Sequence, residues 1–165
     1  HFNAFSDDLE KLLQYSKENG YTTFINIAIP SGSWQNNFGV LLDQQDREHL
    51  IELRKKYGNV LRDIWNPFDR NNEGCLGCQT ISKLYITPTG DVFPCSFLHI
   101  KIGNIYEQGL KEVVEYGYSI KYFRNHSDVC LAGENIEFIK KYMQKEMSVF
   151  KPLDAKEAFT QDDYV

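Results

Sequence analysis

Four cysteines are the residues of this sequence with the most distinctive chemistry. Three of them, Cys75, Cys78 and Cys95, lie in the segment GCLGCQTISKLYITPTGDVFPC, and the fourth is Cys130. Thiolates suit both iron–sulfur clusters and tetrahedral Zn²⁺. The C-x-x-C spacing of the first pair is typical of metal ligands. The cysteines therefore predict a single metal site that uses all four thiolates.

A predicted β-hairpin explains how the cysteines come together. Residues 84–87 and 92–93 have the composition of strands, and Pro88-Thr89-Gly90-Asp91 joins them as a turn. Proline presets one φ angle, and Gly90 can adopt the positive φ that closes a short hairpin. The turn would bring the cysteines on its two sides towards each other.

Other interpretations of the cysteines remain open. Buried thiols are common, although they explain a C-x-x-C pair poorly. Disulfides require an oxidising compartment, and nothing in the sequence indicates secretion. A redox dithiol at Cys75 and Cys78 would normally follow a strand at a helix N-terminus, whereas this pair precedes a hairpin strand. We favour the metal site because it accounts for all four residues.

The composition is that of a globular protein. The 165 residues are 42% hydrophobic and 25% charged, which is enough for a buried core in one domain or two small ones. A formal net charge of −5 argues against a nucleic-acid partner. No apolar run approaches the length of a membrane span, so we expect no membrane partner and a cytoplasmic location.

The elements on either side of the cysteine segment differ in character. The first part alternates helix and strand, which is the α/β pattern of a parallel sheet or barrel wall. Its predicted elements are a helix over 6–20, an apolar strand over 22–29 covered on both faces, a helix over 43–58 and a strand over 60–65. After a polar connector at 69–74 and the hairpin come predicted helices over 105–115, 118–124 and 135–147. Residues 148–165 lack periodicity and are predicted to form an extended arm or a disordered end.

The cysteine segment resembles a known family. The spacing of Cys78, eleven residues, Gly90, four residues and Cys95 resembles the opening of the SPASM/twitch domain of radical SAM enzymes. LYITPTGDVFPC is similar to the family's strand-turn-strand, and GNIYEQGLKEV resembles the helix that follows. The resemblance covers most of residues 20–145. It implies a small α+β domain whose auxiliary [4Fe–4S] cluster is held by Cys75, Cys78, Cys95 and Cys130.

The resemblance also implies a domain organisation. Residues 1–68 resemble the end of the family's partial TIM-like barrel, 69–147 the auxiliary-cluster domain, and 148–165 a C-terminal tail. No second C-x-x-C follows Cys95, so four thiolates suffice for one cluster, as in the shorter twitch version. In the family, the segment corresponding to INIAIPSG lies beside the adenine of S-adenosylmethionine. Ile27 and Ser31 are therefore candidate cofactor-binding residues.

The functional expectation follows from a missing motif. The C-x-x-x-C-x-x-C sequence that holds the S-adenosylmethionine-cleaving cluster does not occur in these 165 residues, which start at His1. The resemblance therefore implies the C-terminal portion of a radical SAM oxidoreductase or maturase that is inactive alone. Its partners would be an N-terminal radical SAM core and an unidentified peptide or small-molecule substrate. The alternative is a small zinc-binding structural module in which four cysteines hold the metal.

Two further expectations concern this portion of the enzyme. Full ligation of the cluster by four cysteines favours electron transfer or a structural role over substrate binding. Strands that pair with the rest of the barrel in the whole enzyme would expose an apolar edge when that part is absent. We therefore expect the chain to self-associate.

A few other polar or aromatic residues are weaker site candidates. His99 follows Cys95 by four residues and could approach the metal, although a surface or supporting role is favoured. Arg62 and Asp63 end a predicted strand, where they are active-site groups or an ordinary ion pair. Trp34 lines a cavity or anchors its loop. Some family members carry an acidic base after the hairpin cysteine, and this role does not transfer to Ser96.

Overall fold

A computed structural model describes residues 1–62, 81, 84–124, 127, 129–145, 148 and 150–165. The connector predicted at 69–74 and the pair Cys75 and Cys78 lie outside these residues. The described elements are α1 (Asp7–Glu18), β1 (Thr23–Ile25), α2 (Gln44–Tyr57), β2 (Val60–Arg62), β3 (Tyr85–Ile86), β4 (Asp91–Phe93), β5 (Ile100–Lys101), β6 (Gly103–Asn104), α3 (Leu110–Ser119), α4 (Lys121–Arg124), α5 (Ile136–Tyr142), β7 (Leu153–Asp154) and α6 (Ala155–Ala158). They form a small mixed α/β structure.

The N-terminal part is one βαβ unit with α1 packed against it. β1 and β2 are parallel, with Thr23 opposite Val60, and α2 connects them. The helices predicted to start at Ser6 and Asp43 do begin there, and both residues are N-caps: Ser6 accepts from the amide of Asp8, and Asp43 forms a capping box at the start of α2. The helices and strands enclose an N-terminal cluster of buried side chains, namely Leu13, Leu50, Leu53, Tyr57 and Val60.

β1 differs from the strand predicted over 22–29. The strand ends at Ile25, and Phe24 is 60% exposed, so the prediction of a strand covered on both faces is wrong. The residues after it leave the sheet because Ile27, Ala28 and Ile29 pack against the C-terminal half of the protein. The apolar residues that the sequence pattern assigned to the strand therefore pack against the C-terminal half instead of extending the strand.

The predicted hairpin is confirmed. β3 and β4 are antiparallel, with Tyr85 opposite Phe93, and β6 extends the sheet on the other side of β4. The amide of Thr87 donates to the carbonyl of Asp91 at 3.0 Å, which closes the turn. Gly90 has a φ of +83°, as the turn requires.

Asn104 and Tyr106, which follow β5 in the chain, contact the hairpin turn. The Asn104 side chain donates to the Thr89 carbonyl and to the Asp91 carboxylate, both at 3.0 Å. A Cβ at Gly90 would lie 2.5 Å from the ring of Tyr106 and 2.7 Å from Asn104 Oδ1. The turn therefore requires glycine for its φ and for the close approach of its neighbours.

Replacing Gly90 by alanine should lower the free energy of unfolding by about 3 kcal/mol, since a left-handed conformation and a steric overlap both add cost. Gly20→Ala is the matched control, because Gly20 has a φ of +70° with nothing within 4 Å. It should cost only about 1–2 kcal/mol. Urea unfolding measures both values, and equal losses would contradict the steric contribution.

The C-terminal helices are shorter or displaced relative to their predictions. The helix predicted over 105–115 begins at Leu110, because β6 and a turn at residues 105–107 occupy the preceding positions. The helix predicted over 135–147 has Asn135 as its N-cap and ends at Tyr142. The three helices therefore exist in the predicted order, but their ends differ from the predicted ones.

The C-terminal segment packs on the rest of the chain. Leu153 and Asp154 form β7, which pairs in parallel with β5, and the Val165 amide donates to the Ser119 carbonyl at 2.9 Å. Ala155 and Phe159 are buried. The prediction of an extended arm or disordered end is therefore wrong. Its apolar residues are divided among β7, α6 and the residues that follow them, so no single periodicity reveals them.

A buried carboxylate fastens this segment to α5. Asp163 accepts hydrogen bonds from the Tyr142 hydroxyl at 2.6 Å and from Lys141 Nζ at 3.0 Å. The amide and hydroxyl of Thr160 also donate to it, each at 2.9 Å. Burial by itself raises the pKa of Asp163, but these hydrogen bonds outweigh burial and hold the pKa well below its ordinary value of 3.8.

Asp163→Asn should destabilise the protein by about 2–3 kcal/mol at neutral pH, because several donors lose a charged acceptor. A pKa that is lower in the folded state stabilises the protein above the unfolded value of 3.8. The difference between wild type and variant should therefore shrink as the pH falls below that value. Urea unfolding at neutral and acidic pH tests this, with the exposed neighbour variant Asp162→Asn as the control. A pH-independent difference would contradict the role of the charge.

One large hydrophobic cluster fills the C-terminal half. We call it the C-terminal cluster; its buried members are Val40, Leu41, Ile81, Val92, Leu98, Ile100, Ile102, Val113, Ile120, Phe123, Cys130, Leu131, Ala132, Phe138, Ile139, Tyr142, Met143, Ala155 and Phe159. Residues from both sides of the predicted boundary at 68 contribute to it. Among the described helices, none is both long and apolar enough to span a bilayer.

Candidate metal centre

Cys95 lies directly after the hairpin, two residues beyond β4. It is half-buried, and its backbone forms an isolated antiparallel bridge with Leu98. The amide of Phe97 lies 3.4 Å from Cys95 Sγ and donates to it. An N–H directed at sulfur favours the thiolate, the form in which cysteine binds metal. The local backbone is therefore compatible with a thiolate at Cys95.

Cys130 begins a tight loop of residues 130–135, which we call the Cys130 loop. Its carbonyl accepts from the amides of Glu134 at 2.8 Å and Asn135 at 3.0 Å. Its own amide donates to Glu134 Oε2 at 2.8 Å. Both backbone groups of Cys130 are thus fixed by the loop, and the residue is only 3% exposed. This arrangement restricts where the sulfur can lie.

The Cys130 loop packs closely against the segment that follows β1. A Cβ at Gly133 would lie 2.6 Å from Ile27 Cδ1 and 2.8 Å from Ile29 Cδ1. It would also lie 3.3 Å from the backbone oxygen of Ala28, which cannot rotate away. A side chain at position 133 would therefore displace Ile27 and Ile29 and crowd the Ala28 carbonyl, at the contact that joins the N-terminal part to the Cys130 loop.

The structure places Cys95 and Cys130 in one apolar environment. Cys130 is a buried member of the C-terminal cluster, and Cys95 packs against the same cluster. Soft sulfur donors in apolar surroundings fit a thiolate-bound cluster or Zn²⁺ better than a hard, oxygen-preferring cation. Cys75 and Cys78 lie outside the described residues, so convergence of all four cysteines stays a prediction.

A buried ion pair lies beside Cys130. The side chain of Glu134 is 0% exposed, and its Oε1 is 4.0 Å from Arg47 Nη1 on α2. Arg47 also donates to the Leu42 carbonyl and to Gln44 at 3.3 Å each. Neither charged residue is recognisable as a site residue from the sequence. A carboxylate four positions after a cysteine carries no recognisable signal, and its cationic partner is distant in sequence.

The two candidate cofactor-binding residues lie in different surroundings. Ile27 is half-buried against the Cys130 loop, whereas Ser31 borders a small pocket with His99, Met143 and Lys145. The ring of His99 lies edge-on to Phe93, with ring centroids 6.5 Å apart. The structure thus brings Ser31 and His99 to one pocket, and no described contact assigns either residue to a cofactor.

A wider groove of about 500 Å³ lies beside β1. Trp34, which is 50% exposed, lines it together with Phe2, Leu12, Phe24 and Ile27. Trp34 therefore borders a cavity, one of its two predicted roles. Of the other pair of candidates, Arg62 ends β2 and Asp63 lies outside the described residues.

A second group of ligand-type side chains lies at the start of α2. Ligand atoms of His1, Asp43 and Asp46 lie within 4.8 Å of one another. The carboxylate of Asp43 accepts from the backbone amide of Asp46 at 2.8 Å, and the carboxylate of Asp46 accepts from the amide of Asp43 at 2.9 Å. His1 Nδ1 lies 2.6 Å from Asp46 Oδ2. The hydrogen bond to Asp46 raises the pKa of His1. Helix capping and an ion pair account for this group.

Comparison with known families supports an iron–sulfur centre. Residues 75–132 match the family model of SPASM, described as an iron-sulfur cluster-binding domain. The match includes all four cysteines and is consistent with a SPASM-type domain. No curated protein and no solved structure matches the chain significantly.

Proposed function

We propose that the chain binds one auxiliary [4Fe–4S] cluster through Cys75, Cys78, Cys95 and Cys130. The observation that carries the proposal is the SPASM match, because the matched segment begins at the first of these cysteines and ends just after the last. The common apolar environment of Cys95 and Cys130 and the amide directed at Cys95 Sγ support it.

The residues of the chain have defined tasks in this proposal. The hairpin and the Cys130 loop present thiolates, and the C-terminal cluster keeps water away from them. When bound by four thiolates, such a cluster supplies one-electron transfer or a structural crosslink. We favour these roles over direct substrate binding, because four cysteines leave no iron open.

We further propose that this centre belongs to a radical SAM oxidoreductase or maturase. SPASM domains occur in radical SAM enzymes, and a βαβ unit such as β1–α2–β2 is the repeating unit of their barrels. The core that binds S-adenosylmethionine would lie outside these residues, with Ile27 and Ser31 on its cofactor side. The substrate would be a peptide or small molecule, and reduced thiols suit the cytoplasm.

After anaerobic reconstitution, the wild-type chain should contain about four iron and four sulfide per chain. Cys95→Ser and Cys130→Ser should each lose most of both, because a hydroxyl is a poor ligand for the cluster. Ser96→Ala, at the exposed neighbour of Cys95, should retain them and is the matched control. Iron and sulfide analysis with electron paramagnetic resonance (EPR) of the reduced protein makes the measurement.

Two outcomes would contradict the proposal. Stoichiometric zinc without sulfide, lost in the same cysteine variants, would indicate the four-cysteine zinc module instead. Iron content that is unchanged in both cysteine variants would remove these residues from the ligand set.

The outer edge of β1 supports a neighbouring strand in the proposed enzyme. The Thr23 amide donates to Asn59 beside β2, so parallel pairing directs the backbone groups of Phe24 to the opposite side. Phe24 also lines the groove, together with Leu12 and Trp34. No strand in the described part of the chain pairs with this edge of β1, and an unpaired edge beside apolar side chains favours strand addition. In the proposed enzyme a core strand pairs here, and in the isolated chain a second copy takes its place.

The isolated chain should therefore form dimers as its concentration rises, and light scattering measures this. Phe24→Lys should keep it monomeric, because a charged edge residue opposes strand addition. Phe150→Lys is the matched control, since Phe150 is 99% exposed and is not among the residues that line the groove. A wild-type chain that stays monomeric at all concentrations would refute the pairing.

A further inference from the structure

Glu134 is a carboxylate buried beside a proposed cluster ligand. We propose that Glu134, paired with Arg47, positions the Cys130 loop and sets the reduction potential of a cluster bound there. The inference rests on the proposed function, because it concerns the same centre. It assigns a task to two residues that lie outside the ligand set.

Glu134 holds the backbone of Cys130 in position. Glu134 contacts Cys130 twice: its side chain accepts from the Cys130 amide, and its own amide donates to the Cys130 carbonyl, both at 2.8 Å. The two hydrogen bonds close a ring across the loop. The backbone of Cys130 is therefore held by the residue that carries the buried charge.

The charge of Glu134 acts on the reduction potential of a cluster bound by Cys130. The Glu134 side chain is 0% exposed, so its charge is weakly screened and acts strongly on nearby groups. Reduction adds a negative charge to a cluster, and a neighbouring carboxylate opposes that addition. Arg47, with 23% of its side chain exposed, offsets part of the effect from 4.0 Å away. Glu134 therefore lowers the reduction potential of the cluster, and Arg47 raises it.

The two charged residues come from different parts of the chain. Arg47 lies in the first turns of α2, in the N-terminal part, whereas Glu134 lies in the Cys130 loop. Gly133, next to Glu134, is the residue packed against Ile27 and Ile29. The packing that joins the two parts therefore also sets the distance between the charges.

The test uses EPR-monitored redox titration of the reconstituted chain. Glu134→Gln keeps an oxygen acceptor for the Cys130 amide and removes the charge, so the midpoint potential should rise. Arg47→Met removes the opposing charge, so the potential should fall. Arg47→Lys should restore most of the wild-type value. Shifts of opposite sign distinguish a direct electrostatic role from general disturbance of the fold.

Matched controls remove charges of the same sign at exposed positions close to Glu134 and Arg47 in the chain. Glu137→Gln on α5 and Lys55→Met on α2 should leave the potential close to that of the wild type. Equal shifts in these controls would overturn the inference, as would unchanged potentials or shifts of the same sign in Glu134→Gln and Arg47→Met.

A second readout does not need the cluster. Hydrogen exchange of the Cys130 amide in the cluster-free chain should be faster in Glu134→Ala than in the wild type, because its acceptor is removed. Unchanged exchange would overturn the positional role. A wild-type chain without iron and sulfide would refute the proposed function and the tuning of potential with it. A loaded wild type with unshifted variants would refute the inference alone.

Discussion

The contact between Gly133 and the segment Ile27–Ile29 is the constraint on which the rest of the structure depends. An added Cβ would come within 2.6 Å of Ile27 Cδ1, so the two parts of the chain approach as closely as backbone and side chains allow. β1 ends at Ile25, and the residues after it, Ile27, Ala28 and Ile29, pack against the hydrophobic cluster that includes Cys130. A close-packed interface of this kind transmits small displacements, because it contains no space to absorb them.

The hairpin supplies the other half of the candidate centre by a different physical route. Its geometry is local: Gly90 adopts the left-handed conformation, and backbone hydrogen bonds between Thr87 and Asp91 close the turn. The side chain of Asn104, on β6, then ties the turn to the third strand of the same sheet. Cys95 therefore follows an element held by local hydrogen bonds, whereas Cys130 lies in a loop that packs against residues distant in the chain.

Two buried carboxylates show how environment decides the use of a charge. Asp163 is surrounded by donors from Tyr142, Lys141 and Thr160, so its charge holds the C-terminal segment in place. Glu134 accepts from the amide of a proposed ligand and faces the Arg47 guanidinium at 4.0 Å. Its charge therefore lies where it can act on the proposed centre. Burial is similar in the two cases, and the partners determine the consequence.

The sequence by itself determined the features that depend on neighbouring residues. These are the helix caps at Ser6 and Asp43, the turn at Gly90 and the set of sulfur donors, because capping, φ preference and thiol chemistry act within a few residues. Only the tertiary structure decided the early end of β1, the packing of residues 148–165 and the pairing of Arg47 with Glu134. Those features join residues far apart in the chain, and no local pattern encodes which distant surface a side chain meets.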